Sequence, residues 1–157
     1  VTLPPGIPPG FGVDIGPAFL VVGESLLASW SIGPADLVAT ALANLRARMQ
    51  PLRPRDLVRQ SLDGVPVRIL QSGLGCTSAL VLVPDELRRI LGPDPQLLIA
   101  PMRDLVISMP PDTDRAFVAW INDEFAEMDP NGLALDAFTL ADGELRYEAL
   151  RSPMRSP

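Results

Sequence analysis

Histidine and lysine are both missing from this 157-residue chain, and all thirteen of its basic residues are arginines. Histidine is the usual near-neutral acid or base and the commonest metal ligand. Lysine is a standard Schiff-base nucleophile and phosphate anchor. Most hydrolytic, metal-dependent and phosphoryl-transfer mechanisms are therefore left without residues to carry them. There is one cysteine, Cys76, which excludes an internal disulfide and fits a reducing compartment. No histidine is present to hold its thiol as thiolate, so Cys76 reads as a small buried core residue. Aromatic residues make up only 5% of the chain, so aliphatic side chains must fill the core. No run approaches the roughly 20 apolar residues of a membrane span. No basic stretch followed by an apolar one marks a signal peptide.

What is present bounds the fold class. Hydrophobic residues are 47% of the sequence, as in a globular domain, and the length suits one domain. The net charge of −6 opposes a phosphate backbone unless arginines cluster tightly. The clusters are small: Arg46 with Arg48, Arg53 with Arg55, and Arg88 with Arg89. The expectation is a cytoplasmic protein with neither nucleic acid nor membrane as partner. Exclusive use of arginine also fits codon bias in a GC-rich genome.

Prolines and glycines crowd residues 1–17, which predicts an arm or linker. Residues 18–150 are the expected domain, and 151–157 a frayed tail. The domain reads as α+β: an antiparallel-rich sheet packed on helices. Ala18–Val22 is a short strand, and Leu26, Leu27 and Trp30 suggest a helical turn or two. Pro34 opens a helix to Met49, with Leu37, Val38, Ala41, Leu42, Leu45 and Met49 at helical spacing. Asn44 borders that stripe, where its amide has a loop backbone to bond. A short helix is expected over 55–62, closed by Asp63-Gly64. Val65–Gln71 is a strand, placed at an edge by Pro66. Ala79–Val83 is strand or helix, and Pro84 begins a further helix that ends at Gly92-Pro93.

In the second half, Leu97–Ala100 and Leu105–Met109 read as a hairpin joined by residues 101–104. A helix from Asp112 or Thr113 to about Met128 carries Phe117, Trp120, Ile121, Phe125 and Met128 on one side. Asn122, Asp123 and Glu127 should face away. Asp142-Gly143 is a type I′ hairpin signal. It sets Ala141 opposite Glu144, Leu140 opposite Leu145, Thr139 opposite Arg146 and Phe138 opposite Tyr147.

No catalytic constellation stands out. The serines lack a nucleophile elbow and an activating base. Gly73-Leu-Gly75 lacks the third glycine and the lysine of a phosphate loop, so it is a turn. Asp112 with Asp114, and Asp123 with Glu124 and Glu127, lack the spacing of a calcium loop, and no metal site or cofactor is expected. Nineteen acidic residues allow many carboxylate pairs, and nothing selects one. Arg103-Asp104 is unusual as a charged pair in a tight turn. Either its guanidinium fork meets a ligand or partner, or Asp104 closes the turn while Arg103 pairs with it or lies over the sheet.

Short motifs carry a family resemblance. Ala41–Leu45, Thr77–Pro84, Ile99–Asp104, Leu135–Phe138 and Asp142-Gly143 together resemble the YtpQ-type family of uncharacterised bacterial proteins, a domain of unknown function, over about residues 18–149. The resemblance implies an α+β fold and a bacterial origin. It brings no catalytic residue and marks Asn44, Arg103 and Asp104 as contact positions. The expected function is a non-catalytic protein-binding or scaffold module, self-associating in one version and similar in character to small acidic chaperone-like proteins. The rival is a small-ligand binder or enzyme using carboxylates and Arg103. A third reading is a module cut from a longer polypeptide.

Overall fold

The computed structural model describes residues 10–14, 19–130, 132–133 and 135–150. Most of the arm and all of the tail read from the sequence lie outside the described residues. The part of the arm that is described contributes a strand, β1 (Gly12–Asp14), which pairs antiparallel with β2 (Phe19–Val21). Two helices follow, α1 (Glu24–Trp30) and α2 (Pro34–Met49). Ser31, left-handed at φ 55°, turns the chain between them.

A 3-10 turn (Pro54–Asp56) leads into β3 (Val58–Leu62) and β4 (Val65–Leu70). A 3-10 helix (Thr77–Leu82) and α3 (Pro84–Leu91) come next. Then follow β5 (Gln96–Met102), β6 (Leu105–Met109), α4 (Arg115–Glu127), β7 (Ala137–Ala141) and β8 (Glu144–Glu148). β3 to β8 form one antiparallel sheet in the order β3-β4-β6-β5-β7-β8. The chain is a single α+β unit, as its composition and patterning imply.

Both faces of this sheet are covered over its central strands. On one, Leu70, Leu98, Ala100, Val106, Phe138, Leu140 and Leu145 pack with Leu80, Leu87, Ile90 and Met49. On the other, Val67, Leu97, Ile99, Leu105, Ile107 and Met109 pack with Val118 and Ile121 of α4. Two-sided burial explains why 97–100 and 105–109 are unbroken apolar runs rather than alternating ones. It also corrects the expected packing. The 3-10 helix and α3 cover the first face, whereas α2 buries only Met49.

Several local expectations change for identifiable reasons. Residues 58–62 are a strand, not a helix, because Asp63 (φ 49°) and Gly64 (φ 83°) make a hairpin turn with Leu62 opposite Val65. β4 is then interior, between β3 and β6. Pro66 is tolerated because β6 pairs only with Arg68–Leu70. Counted back from the turn, Ser61–Pro66 is a non-hydrogen-bonded pair, so Pro66 nitrogen faces the side that β6 does not reach. The β5–β6 turn is two residues, Arg103-Asp104, and the register shifts between Ile99 and Met102. That bulge accommodates Pro101, which has no N–H for a ladder.

In α4 the buried face is Val118, Ile121 and Asn122, while Trp120 and Met128 are exposed. Asn122 Nδ2 donates to Leu135 O at 2.9 Å, and its Oδ1 is buried with no partner among the described residues. The α4 cap is Asp114, whose Oδ1 accepts from Ala116 and Phe117 N–H. The β7–β8 hairpin has the register predicted from Asp142-Gly143, pair by pair. Phe138 and Tyr147 meet there edge to face, with centroids 6.0 Å apart.

Candidate functional site

The Arg103-Asp104 turn sits against the loop Ser72–Ser78. Asp104 reaches into that loop as an acceptor. Its carboxylate takes hydrogen bonds from Ser72 Oγ (2.8 Å), Gly73 N (2.7 Å), Thr77 N (3.2 Å) and the Thr77 hydroxyl. The other lone pairs of the two hydroxyls are used as well: Ser72 Oγ accepts from Leu74 N, and Thr77 Oγ1 from Ser72 N. Each hydroxyl has a single proton, and the nearby carboxylate claims both. Burial pushes the Asp104 pKa up, but the donors from Thr77, Ser72 and Gly73 outweigh it, and the net shift is downward. A carboxylate with a depressed pKa is a weak base. Ser72 and Thr77 are therefore loop-ordering hydroxyls and poor nucleophiles.

Arg103 holds the same loop from outside. Its Nε donates to Gly75 O at 2.6 Å, and its own carbonyl accepts from Ser78 N and Ser78 Oγ. Gly75 lies at φ 70°, and a Cβ there would come within 2.9 Å of Arg103 Nη2. Cys76, in the same loop, is half-buried and packs beside the first core cluster. Arg103, Asp104 and Asp129 line one hollow of about 340 Å³ with Gln71 and Met102. Asn44 is not part of it. It is exposed on α2.

The N-terminal layer, residues 19–49, stands apart in a different way. α1 has no buried residue and α2 has one, Met49. Leu20, Val21, Trp30, Ile32 and Val38 are all exposed. Among the described residues, α2 is fastened through its C-terminal half. Arg46 bridges Asp85 of α3 through two hydrogen bonds of 3.1 and 3.2 Å, and Arg89 donates to Met49 O and Leu52 O. Leu42 and Leu45 rest against the first core cluster. α1 turns away from α2 by 92°. No single helix among the described residues is long and apolar enough to cross a membrane.

One group of residues went unnoticed in the sequence. Arg59 of β3 lies directly opposite Arg68 of β4, and Arg68 opposite Ser108 of β6. With Gln96 they line a cleft of about 310 Å³. The signal was available, because the type I′ rule applied at Asp63-Gly64 places Arg59 and Arg68 face to face. No protein-family model, curated protein or solved structure matches the chain.

Proposed function

We propose that this chain is a non-catalytic protein-binding module that self-associates through its N-terminal layer. The observation that carries the reading is the contrast between spacing and burial in α1 and α2. Their apolar residues recur at helical intervals, yet among them only Met49 is buried. An amphipathic helix gains most of its stability from the surface it packs against. A second copy suits this surface because the layer is electrically neutral: Glu24 and Asp36 are balanced by Arg46 and Arg48. The rest of the chain carries the negative charge that disfavours close approach elsewhere. The reading takes the chain to be a bacterial cytoplasmic protein with neither nucleic acid nor membrane as partner. Its acidity and lack of lysine support that part.

Light scattering after gel filtration tests the proposal. The wild-type chain should run as a dimer at about 10–100 µM, the range in which modest interfaces hold together. Trp30→Glu with Val38→Glu should run as a monomer, with the thermal stability of the wild-type chain at dilutions where that too is monomeric. A wild-type monomer throughout that range would overturn the reading. So would vesicle binding abolished by the same double substitution, which would make the apolar layer a lipid contact.

A second reading, a small-ligand site at the Arg103 turn, has one supporting observation: Arg103 converges with two acids on a single hollow. Asp104 is engaged by the loop and Arg103 Nε by Gly75 O, so a ligand here would share the hollow with those contacts. If Arg103→Ala left every thermal shift across a ligand panel unchanged, this second reading would fall.

A further inference from the structure

We propose that the cleft between β3, β4 and the end of β6 binds a small phosphomonoester, held between the guanidinium groups of Arg59 and Arg68. The argument begins with register. Counted from the two-residue turn at Asp63-Gly64, the facing pairs alternate, and Arg59–Arg68 falls at a non-hydrogen-bonded position. Side chains at such positions are the closer ones. Two like charges directly opposite on a ladder repel. Among the described residues neither arginine forms an ion pair with a carboxylate. In a chain with 19 acidic residues and 13 arginines, such a pair concentrates positive charge where the surroundings offer little to neutralise it.

The neighbours give the cleft a defined shape. Arg68 is half-buried, and it donates to Leu91 O at 2.6 Å and to Ser108 Oγ at 3.2 Å. Ser108 Oγ donates in turn to Gln96 Oε1 at 2.6 Å. Gln96 Nε2 donates to Asp94 O at 3.1 Å, with longer contacts to Leu91 O and Gly92 O. This network fixes the Arg68 guanidinium in place. A guanidinium carries five N–H groups, and two of them have partners here. The remainder, with those of Arg59, have no hydrogen-bond partner among the described residues, and both side chains line the cleft. Burial and the neighbouring charge of Arg59 both lower the Arg68 pKa, while Asp94 opposes the shift from a distance.

Charge and volume together choose the ligand class. Two guanidiniums match a dianion, and a carboxylate would leave one of them unbalanced. The cleft, at about 310 Å³, is larger than an inorganic phosphate needs and close to the lower bound for small-molecule pockets. Pro66, Pro95, Met109 and Pro110 give the cleft an apolar wall as well. That wall suits the organic body of a phosphate ester. The proposal is of binding alone: the one hydroxyl among the lining residues, that of Ser108, gives its proton to Gln96 Oε1, and an amide oxygen is no general base.

Isothermal titration of the full chain with phenyl phosphate, benzoate and inorganic phosphate tests the proposal. Phenyl phosphate should bind at least about tenfold more tightly than either of the others, since only it offers both the dianion and the apolar body. Its affinity should fall as salt is raised. Arg59→Gln is the first variant to make, because Arg59 is exposed and caps no helix. It should weaken phenyl phosphate about tenfold while leaving the melting temperature unchanged. Arg68→Gln should weaken binding further. Because Arg68 also holds the α3 terminus, that variant is read together with its circular dichroism. Three results would overturn the proposal: no binding by the wild-type chain, equal binding by Arg59→Gln, or benzoate binding as well as phenyl phosphate. Tighter binding of a phosphoserine peptide than of phenyl phosphate would also overturn the small-molecule assignment.

Discussion

The N-terminal layer and the sheet body use similar residues to opposite ends. In the body, apolar spacing becomes burial: Leu97, Leu98, Ile99, Val106 and Ile107 are fully buried. In the layer, α2 has the same kind of spacing over sixteen residues and buries only the last of them. The difference teaches that helical periodicity reports a local conformation and an available face. It does not say what occupies that face. In the body the occupant is the sheet. In the layer the described residues provide one only for the C-terminal half of α2.

The contrast is tested most strongly by truncating one residue in each region. Ile107→Ala, at the centre of the sheet, should cost about 2–5 kcal/mol in urea unfolding through lost contacts and a cavity. Val38→Ala in dilute solution should cost about 0.5 kcal/mol or less. Equal losses would show that the layer is part of the folding unit and would erase the distinction.

Next in size is Asp104→Asn, expected to cost about 1–3 kcal/mol, because one carboxylate satisfies four donors of the Ser72–Thr77 loop. The pH dependence has a definite sign. The folded-state pKa of Asp104 lies below its ordinary value. The stabilisation is therefore fully present above the unfolded-state pKa of about 4 and is lost as pH falls through the folded value. The gap between wild type and variant should be widest near neutral pH and should narrow below about pH 4. A gap independent of pH would mean the ionised form contributes nothing.

The smallest effects distinguish the two Asp-Gly hairpins. Gly64 and Gly143 have similar positive φ, 83° and 79°, so each Gly→Ala change should cost about 1 kcal/mol from the backbone alone. Beyond that shared cost, amide exchange should separate the two. β3 is exposed along most of its length, whereas β7 and β8 bury Phe138, Leu140 and Leu145. Local opening should therefore be faster in β3. Equal protection would remove this distinction between the hairpins.

The two turns also show where reading from sequence succeeds. At Asp142-Gly143 the flanking residues alternate apolar and polar, so turn chemistry and pattern agree and the register follows. At Asp63-Gly64 the same dipeptide follows Val58-Arg-Gln-Ser-Leu62, an exposed edge strand with no core-facing alternation, and a helix fits it equally well. The missed hairpin hid the Arg59–Arg68 pair as well, since facing residues are known only once the register is known. In α4 the helix itself was legible, but its buried side was displaced: Asn122 is inside and Trp120 outside. Their order along the helix does not determine which side meets the sheet. The Arg103-Asp104 turn was legible as a place. The four donors gathered around Asp104 were not, because they come from a loop some thirty residues away.

By itself the sequence determined the chemistry that is missing, the α+β class, the course of α2 and α4 and the final hairpin. Each of these depends on residue type or on neighbours a few positions apart. Tertiary structure alone decided the strand order, the covering of both sheet faces, the burial of Asn122 and the meeting of Asp104 with its loop. Those outcomes depend on which distant surfaces come together, and that choice is made by the burial of the whole sheet rather than by any segment of it.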